Sequence, residues 1–215
     1  MTRLYLIRHG TNDHREDGIL AGWMPGVHLN QQGRAQVKAL AQRLAPVEIE
    51  TIYASPLERT LETAEIIAAP HGLPVVVCEG LGEVRFGRWT GQTLERLRRR
   101  RLWRAMQFAP STVCFPGGES MREVQARVVT VLEGLRTKHP QQTVIVVSHA
   151  DTIKTAVAFY IGLPLDLFQR LVIAPASLTV LELGGPVPRL VCLNDTGHLP
   201  PIVEGGKWDS LKRSN

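Results

Sequence analysis

The triplet Arg8-His9-Gly10 closes a short apolar run, Leu4–Ile7, and sets a cation, an imidazole and a glycine side by side. Two further apolar runs end in comparable residues. Thr51–Ala54 leads into "SPLERT", which carries Arg59, and Thr143–Ser148 ("TVIVVS") leads directly into His149. Two guanidinium groups, two imidazoles and the N-terminal ends of following helices suit a dianionic phosphoryl group. Arginine offers a fixed fork of donors to phosphate oxygens. A helix N-terminus adds backbone N–H groups and a partial positive charge. A neutral imidazole can also attack phosphorus and carry the group covalently, and cationic neighbours favour that neutral form. Gly10 would let the backbone approach a ligand with no Cβ in the way. A leaving alkoxide needs a proton, and Glu83, in the glycine-rich stretch "GLGEVRFGRWTGQT", is the candidate general acid. Bound phosphate charge would raise its pKa.

These residues meet only if the runs that deliver them lie side by side. Leu4–Ile7, Thr51–Ala54, Pro74–Cys78, Thr143–Ser148, Leu178–Leu183 and Arg189–Leu193 have the β-branched, apolar character of strands. Between them, helical spacing predicts Gln31–Leu44 (with Ala35, Leu40 and Leu44 on one stripe), Leu57–Ala68, Leu94–Phe108, Ser120–Lys138 and Ile153–Ile161. In "SPLERT", Ser55 is the expected N-cap, Pro56 the first helical residue and Glu58 the partner in a capping box. Strands separated by helices predict an α/β layered domain around a largely parallel sheet. In such a sheet the carboxyl ends of the strands share one edge, where ligands bind. Arg8, His9, Arg59 and His149 are expected together there.

The chain of 215 residues is long enough for one buried domain. Its net charge of +5 suits an anionic ligand without separating a small phosphate ester from nucleic acid. The basic run Arg96–Arg101 in "LERLRRRRLWRAMQ" alternates with leucines and reads as the solvated side of a helix. No aromatic platform or nucleic-acid motif accompanies it, so no nucleic-acid partner is expected. Cys78, Cys114 and Cys192 are scattered and odd in number, which argues against a disulfide framework and fits a reducing cytoplasm. No apolar stretch has the length of a signal peptide or a membrane span. Residues 200–215 show no period and are expected to form an arm, leaving 1–199 as a single domain. The outer faces of the helices leave oligomeric state open and are compatible with a homodimer.

The blocks "LIRHG", "LNQQGRAQ", "IYASPLERTLETAEII", "LGEVRFGRWTGQT", "FPGGES", "VIVVSHADTIKTAV", "SLTVLEL" and "LNDTGHL" resemble, in order, those of the histidine phosphatase superfamily, also termed phosphoglycerate mutase-like. The likeness runs to about Leu199. It implies a three-layer α/β/α sandwich with a largely parallel central sheet, and a phosphohistidine intermediate. It makes His9 the nucleophile and Arg8, Arg59 and His149 the phosphoryl-binding residues. Glu83 becomes the proton donor and then the base for the hydrolytic water. It implies no metal and no organic cofactor.

Departures from the family pattern fall just after the triplet. Thr11 and Asn12 stand where many members have Glu or Gln and then Thr, and His14 and Arg15 stand where many have a phosphate-touching Asn. Asn12, Arg15 and Ala150 are therefore the further phosphate-binding candidates, and Trp23 and His28 candidates for the substrate mouth. The form "GEVRFGRWTG" and the modest length between Glu83 and His149 resemble the phosphatase branch. Hydrolysis of a small phosphorylated metabolite is thus expected over the alternative of a cofactor-dependent phosphoglycerate mutase. A non-catalytic phosphate-binding module would be expected to lose His9 or Glu83, and both are present. Substrate candidates are phosphoserine, phosphoglycerates, sugar phosphates and α-ribazole phosphate, selected by the Thr11–Asn30 loop and the helices between Arg85 and Ser120.

Overall fold

A computed structural model describes residues 1–200 and, within them, every side chain except those of Arg15 and Glu16. The expected C-terminal arm, apart from Pro200, and the expected phosphate contact of Arg15 lie outside the described residues. The elements follow as β1 (Thr2–Arg8), α1 (Asp13–Glu16), α2 (Gln31–Leu44), β2 (Thr51–Ala54), α3 (Glu58–Ala68), β3 (Val75–Val77), α4 (Leu94–Arg98), α5 (Arg101–Phe108), α6 (Met121–Lys138), β4 (Thr143–Ser148), α7 (Ala150–Tyr160), β5 (Leu178–Leu183) and β6 (Arg189–Asp195).

The strands form one sheet in the order β3-β2-β4-β1-β5-β6. The first four run parallel, whereas β5 and β6 are antiparallel to their neighbours. Successive side chains in a strand face opposite sides. Leu4 and Leu6 of β1, with Val144 and Val146 of β4, pack under α6, α7 and the loops from Leu81 to Phe115. Ile7, Ile145 and Val147 face the other way, onto α2 and α3. Helices on both faces make this the expected three-layer sandwich, and explain why the central strands read as unbroken apolar runs. Because β1, β2 and β4 are parallel, their last residues Arg8, Ala54 and Ser148 reach the same edge.

Several expectations are corrected. The helix expected at Leu94–Phe108 is two helices, because Arg100 is extended (φ −86°, ψ 143°) between them. The break divides the Arg98–Arg101 cluster, whose like charges would crowd a continuous helix. These arginines and Arg96 are exposed, and Arg99 meets Glu95 at 2.9 Å across an exposed turn, a pairing of little stabilising value. On α2 the core position is Val37, while Ala35 is exposed. Helix α7 starts at Ala150, three residues before the expected Ile153, with His149 as its N-cap. No helix among the described residues is long and apolar enough to cross a membrane.

Gly10 also has a different task. A Cβ there would meet Gly33 O at 2.7 Å, and a Cβ on Gly33 would stand 2.1 Å from Thr11 O. The two glycines let the first turn of α2 press against the residues that follow β1, so the missing Cβ makes room for a helix and not for a ligand. Gly33→Ala should lower the unfolding free energy by about 1–3 kcal/mol, as other over-packing substitutions do. Gly134→Ala, in α6 with open space around its Cβ, should instead raise it by roughly 0.5–1 kcal/mol. Urea titrations of the two variants beside the parent measure both, and equal stability of Gly33→Ala and the parent would contradict the packing account.

Candidate active site

At the shared strand edge the structure brings Arg8, His9, Arg59, Glu83 and His149 into one electrostatic neighbourhood. Their mutual influence is felt in the ionisation of Glu83 and His149. The chain leaves β1 at Arg8, and His9 follows with its N–H donated to Ser148 O, 3.1 Å. His9 is buried, and its Nδ1 lies 2.7 Å from Gly10 O. A carbonyl oxygen only accepts, so Nδ1 carries a hydrogen, and in the neutral ring the lone pair is then on Nε2. The ring faces His149 with centroids 5.2 Å apart.

His149 is fully buried. Its Nδ1 accepts from Arg59 Nη2 at 3.3 Å, and its Nε2 lies 2.8 Å from Ser55 Oγ. Burial first, then the charge of Arg59 and the neighbouring His9 and Arg8, holds His149 well below the usual histidine range, so it is neutral. Arginine only donates, so Nδ1 is the acceptor, Nε2 carries the hydrogen, and Ser55 Oγ accepts it. This is the reason Ser55 fails as the expected helix cap. Helix α3 begins at Glu58 behind Leu57, without a side-chain cap, because the hydroxyl is engaged by an imidazole from β4's end. Glu58, expected in a capping box, accepts the Gly26 N–H instead, 2.9 Å.

Arg59 is 2% exposed. One hydrogen of its Nη2 goes to Gly22 O at 2.8 Å and the other to His149. Its Nη1 is buried and has no hydrogen-bond partner among the described residues. A buried guanidinium nitrogen without an acceptor costs free energy, and a phosphoryl oxygen is the acceptor its fork geometry fits. Arg8 Nη1 donates to Ile173 O at 2.6 Å, which fixes that guanidinium from the loop before β5.

Glu83 Oε2 is 3.9 Å from His149 Nδ1, and Oε1 accepts the Val84 N–H at 2.9 Å. Its carboxyl is pushed up to about 7, chiefly by burial and next by the negative charge of Asp151, against the opposing pull of Arg59 and Arg8. The acid is therefore already raised, by burial and Asp151, before any phosphate arrives.

The remaining predicted residues divide. Asn12 is buried just beyond His9. Thr11 does not face a ligand: its N–H and hydroxyl both reach Gln36 Oε1, at 3.1 and 3.0 Å, and tie the loop to α2. Ala150 opens α7 beside His149. Trp23 donates its indole N–H to Glu83 O at 2.6 Å, so it touches the acid's backbone. His28 pairs with Glu62 and lies exposed. Among the described residues no group of three or more His, Cys, Asp or Glu side chains is placed to hold a metal ion.

Sequence reasoning passed over Asp151 and Arg127. Asp151, two residues after His149 at the start of a helix, carried a usable signal, since an acidic residue beside a candidate acid raises its pKa. Arg127, in the middle of α6, has no local signal at all. It reaches the site only because α6 packs over the Glu83 loop.

Residues 4–196 match the family model described as histidine phosphatase superfamily (branch 1). A curated relative, phosphoserine phosphatase 1 of Hydrogenobacter thermophilus, is 33% identical over 201 residues, covering 93% of this chain and 95% of its own. Among solved structures, the phosphoserine phosphatase of Entamoeba histolytica, in complex with phosphoserine, superposes with a TM-score of 0.83 at 28% identity, over 93% of this chain and 100% of that one. A mycobacterial glucosyl-3-phosphoglycerate phosphatase complexed with VO3 gives a TM-score of 0.81 at 27% identity, over 89% and 98% of the two chains.

Proposed function

The chain belongs to the histidine phosphatase superfamily as a phosphoric monoester hydrolase, and from that premise we propose that it hydrolyses a small phosphomonoester through a phosphohistidine on His9. The observation that carries this reading is the His9 tautomer. With Nδ1–H anchored on Gly10 O, the neutral ring has its lone pair on Nε2, the nitrogen that attacks.

In the first step His9 Nε2 forms a bond to phosphorus as the ester P–O bond breaks. Arg8 and Arg59 hold the phosphoryl oxygens, and the Nη1 of Arg59 finds its acceptor. His149 stays neutral and holds Arg59 Nη2 through Nδ1, so the guanidinium keeps its orientation. Glu83 transfers its proton to the departing oxygen, and the alcohol leaves. In the second step water attacks phosphorus, Glu83 takes the proton, the N–P bond breaks, and inorganic phosphate departs with His9 neutral again. A carboxyl with a pKa of about 7 suits both tasks near neutral pH.

Phosphoserine heads the substrate panel, because the Hydrogenobacter relative is named for it and the Entamoeba protein is solved with it. The test is turnover of phosphoserine, 3-phosphoglycerate and p-nitrophenyl phosphate in EDTA, with a radiolabelled ester quenched during turnover. Inorganic phosphate and an acid-labile, alkali-stable label on the protein are expected. A need for added metal, or isomerised phosphoglycerate in place of free phosphate when 2,3-bisphosphoglycerate is supplied, would overturn the reading.

A further inference from the structure

The loop that carries the acid, Gly80-Leu81-Gly82-Glu83, has no strand to pair with, yet each of its four carbonyl oxygens is held by a side chain. Arg127 Nη1 donates to Gly80 O at 2.9 Å. Ser148 Oγ donates to Leu81 O at 2.7 Å, and Thr152 Oγ1 to Gly82 O at 2.9 Å. Glu83 O accepts twice, from Arg127 Nη2 at 3.0 Å and Trp23 Nε1 at 2.6 Å. These donors come from α6, the end of β4, α7 and the loop before α2. Ser148 and Thr152 also bracket His149, so the acid's loop is registered to the same elements that place the buried imidazole.

Arg127 occupies the centre of this arrangement. One planar guanidinium spans Gly80 O and Glu83 O, the two ends of the loop. Its other donors go to Glu119, Nε to Oε2 at 3.0 Å and Nη2 to Oε1 at 2.7 Å. Glu119 is itself fixed, because its Oε1 accepts the Arg85 N–H at 2.8 Å. The glycines permit the close fit: a Cβ on Gly80 would meet Val131 of α6 at 2.5 Å, and one on Gly82 would meet the Trp23 ring at 2.2 Å. Arg85 lies over that ring with its guanidinium carbon 3.9 Å from the centroid, closing the outer side.

We propose that Arg127, with Trp23, is the positioning residue of the general acid: it fixes the Glu83 backbone so that the carboxyl stands where the leaving oxygen departs. A proton donor must be within hydrogen-bond reach of that oxygen, and a displacement of about 1 Å is enough to cost a hundredfold in rate. A lysine would supply charge but not the two-ended fork. Neither Arg127 nor Trp23 transfers a proton or binds the phosphoryl group in this account, and the proposal rests on the phosphatase reading above.

The leaving group distinguishes positioning from general damage. An alkyl ester such as phosphoserine expels a basic alkoxide that needs Glu83's proton, whereas p-nitrophenyl phosphate expels a stable phenolate that does not. The measurement is kcat/KM, which reports the chemistry up to phosphoryl transfer onto His9 and leaves out hydrolysis of the intermediate. For Arg127→Met, kcat/KM on phosphoserine should fall about 30-fold or more, a partial loss of the roughly 10²–10⁴ that general acid catalysis supplies, while that on p-nitrophenyl phosphate falls less than about threefold. Trp23→Phe keeps the ring under Arg85 and removes only the N–H, and should show the same asymmetry with a fall of about 3- to 10-fold on phosphoserine, the size of one lost hydrogen bond. It decides the matter if thermal melting shows Arg127→Met unfolded. Equal losses on both esters, or no loss on either, would overturn the clamp. A parent protein that hydrolyses neither ester would instead overturn the phosphatase reading.

Discussion

His9→Ala abolishes turnover while leaving phosphomonoester binding nearly intact. The substitution removes the atom that would form the N–P bond, and no neighbour can replace it. His149 is buried with its Nε2 on Ser55 and its Nδ1 toward Arg59, so it cannot swing to phosphorus without breaking both contacts. Loss of a covalent nucleophile costs on the order of 10⁴–10⁶ in kcat, and kcat for His9→Ala should fall by at least about 10⁴. Arg8, Arg59 and the N-terminus of α7 stay in place, so calorimetric affinity for phosphoserine should change by less than about tenfold, since charge-assisted contacts to the phosphoryl group supply most of it. The label trapped on the protein should vanish with turnover. Retained activity, or label still bound in the variant, would remove His9 from its role.

Glu83→Gln has the second-largest effect, a fall in kcat/KM of about 10²–10⁴ on alkyl phosphates, the range for a lost general acid. Its pH dependence is more specific than its size. The free enzyme is competent when Glu83 holds its proton, so kcat/KM of the parent should decline as pH rises through about 7. In Glu83→Gln nothing titrates at that position, and the decline should disappear. Asp151→Asn tests the second cause of the raised pKa. Removing that negative charge makes the ionised carboxylate easier to form, so the decline should move to lower pH. A decline that persists unchanged in Glu83→Gln would belong to another group.

What could be seen in the chain beforehand was local. "TVIVVS" is β-branched from Thr143 to Val147 and became β4 with its expected ends. Ser120 and Glu123 form a capping box at α6, where helical spacing begins. The strand-end rule placed Arg8, His9 and His149 together because parallel strands must share a carboxyl edge. What escaped were bonds between distant residues. Ser55 had every local mark of an N-cap, but an imidazole 94 residues away holds its hydroxyl. The long helix through the arginine cluster fits periodicity, and yet it breaks at Arg100. Arg127 looks like any solvated helix arginine until α6 is laid over the Glu83 loop. Periodicity reports which face of an element is buried, and says nothing of which carbonyl a long side chain will find.

The order of the sheet carries a consequence for the birth of the protein. β1 has two neighbours, β4 and β5, and its pairing with β4 joins Arg3 to Thr143 and Arg8 to Ser148. A ribosome that adds about 5–20 residues per second needs roughly 7–28 s to deliver those partners. Until then Leu4, Leu6 and Ile7 have no strand beside them, and an unpaired apolar strand is prone to associate. His9 precedes in the chain every element that completes its pocket, which closes only when β4, α7 and β5 have emerged. Truncated chains released before that point would be catalytically silent and prone to aggregate through the unpaired first strand.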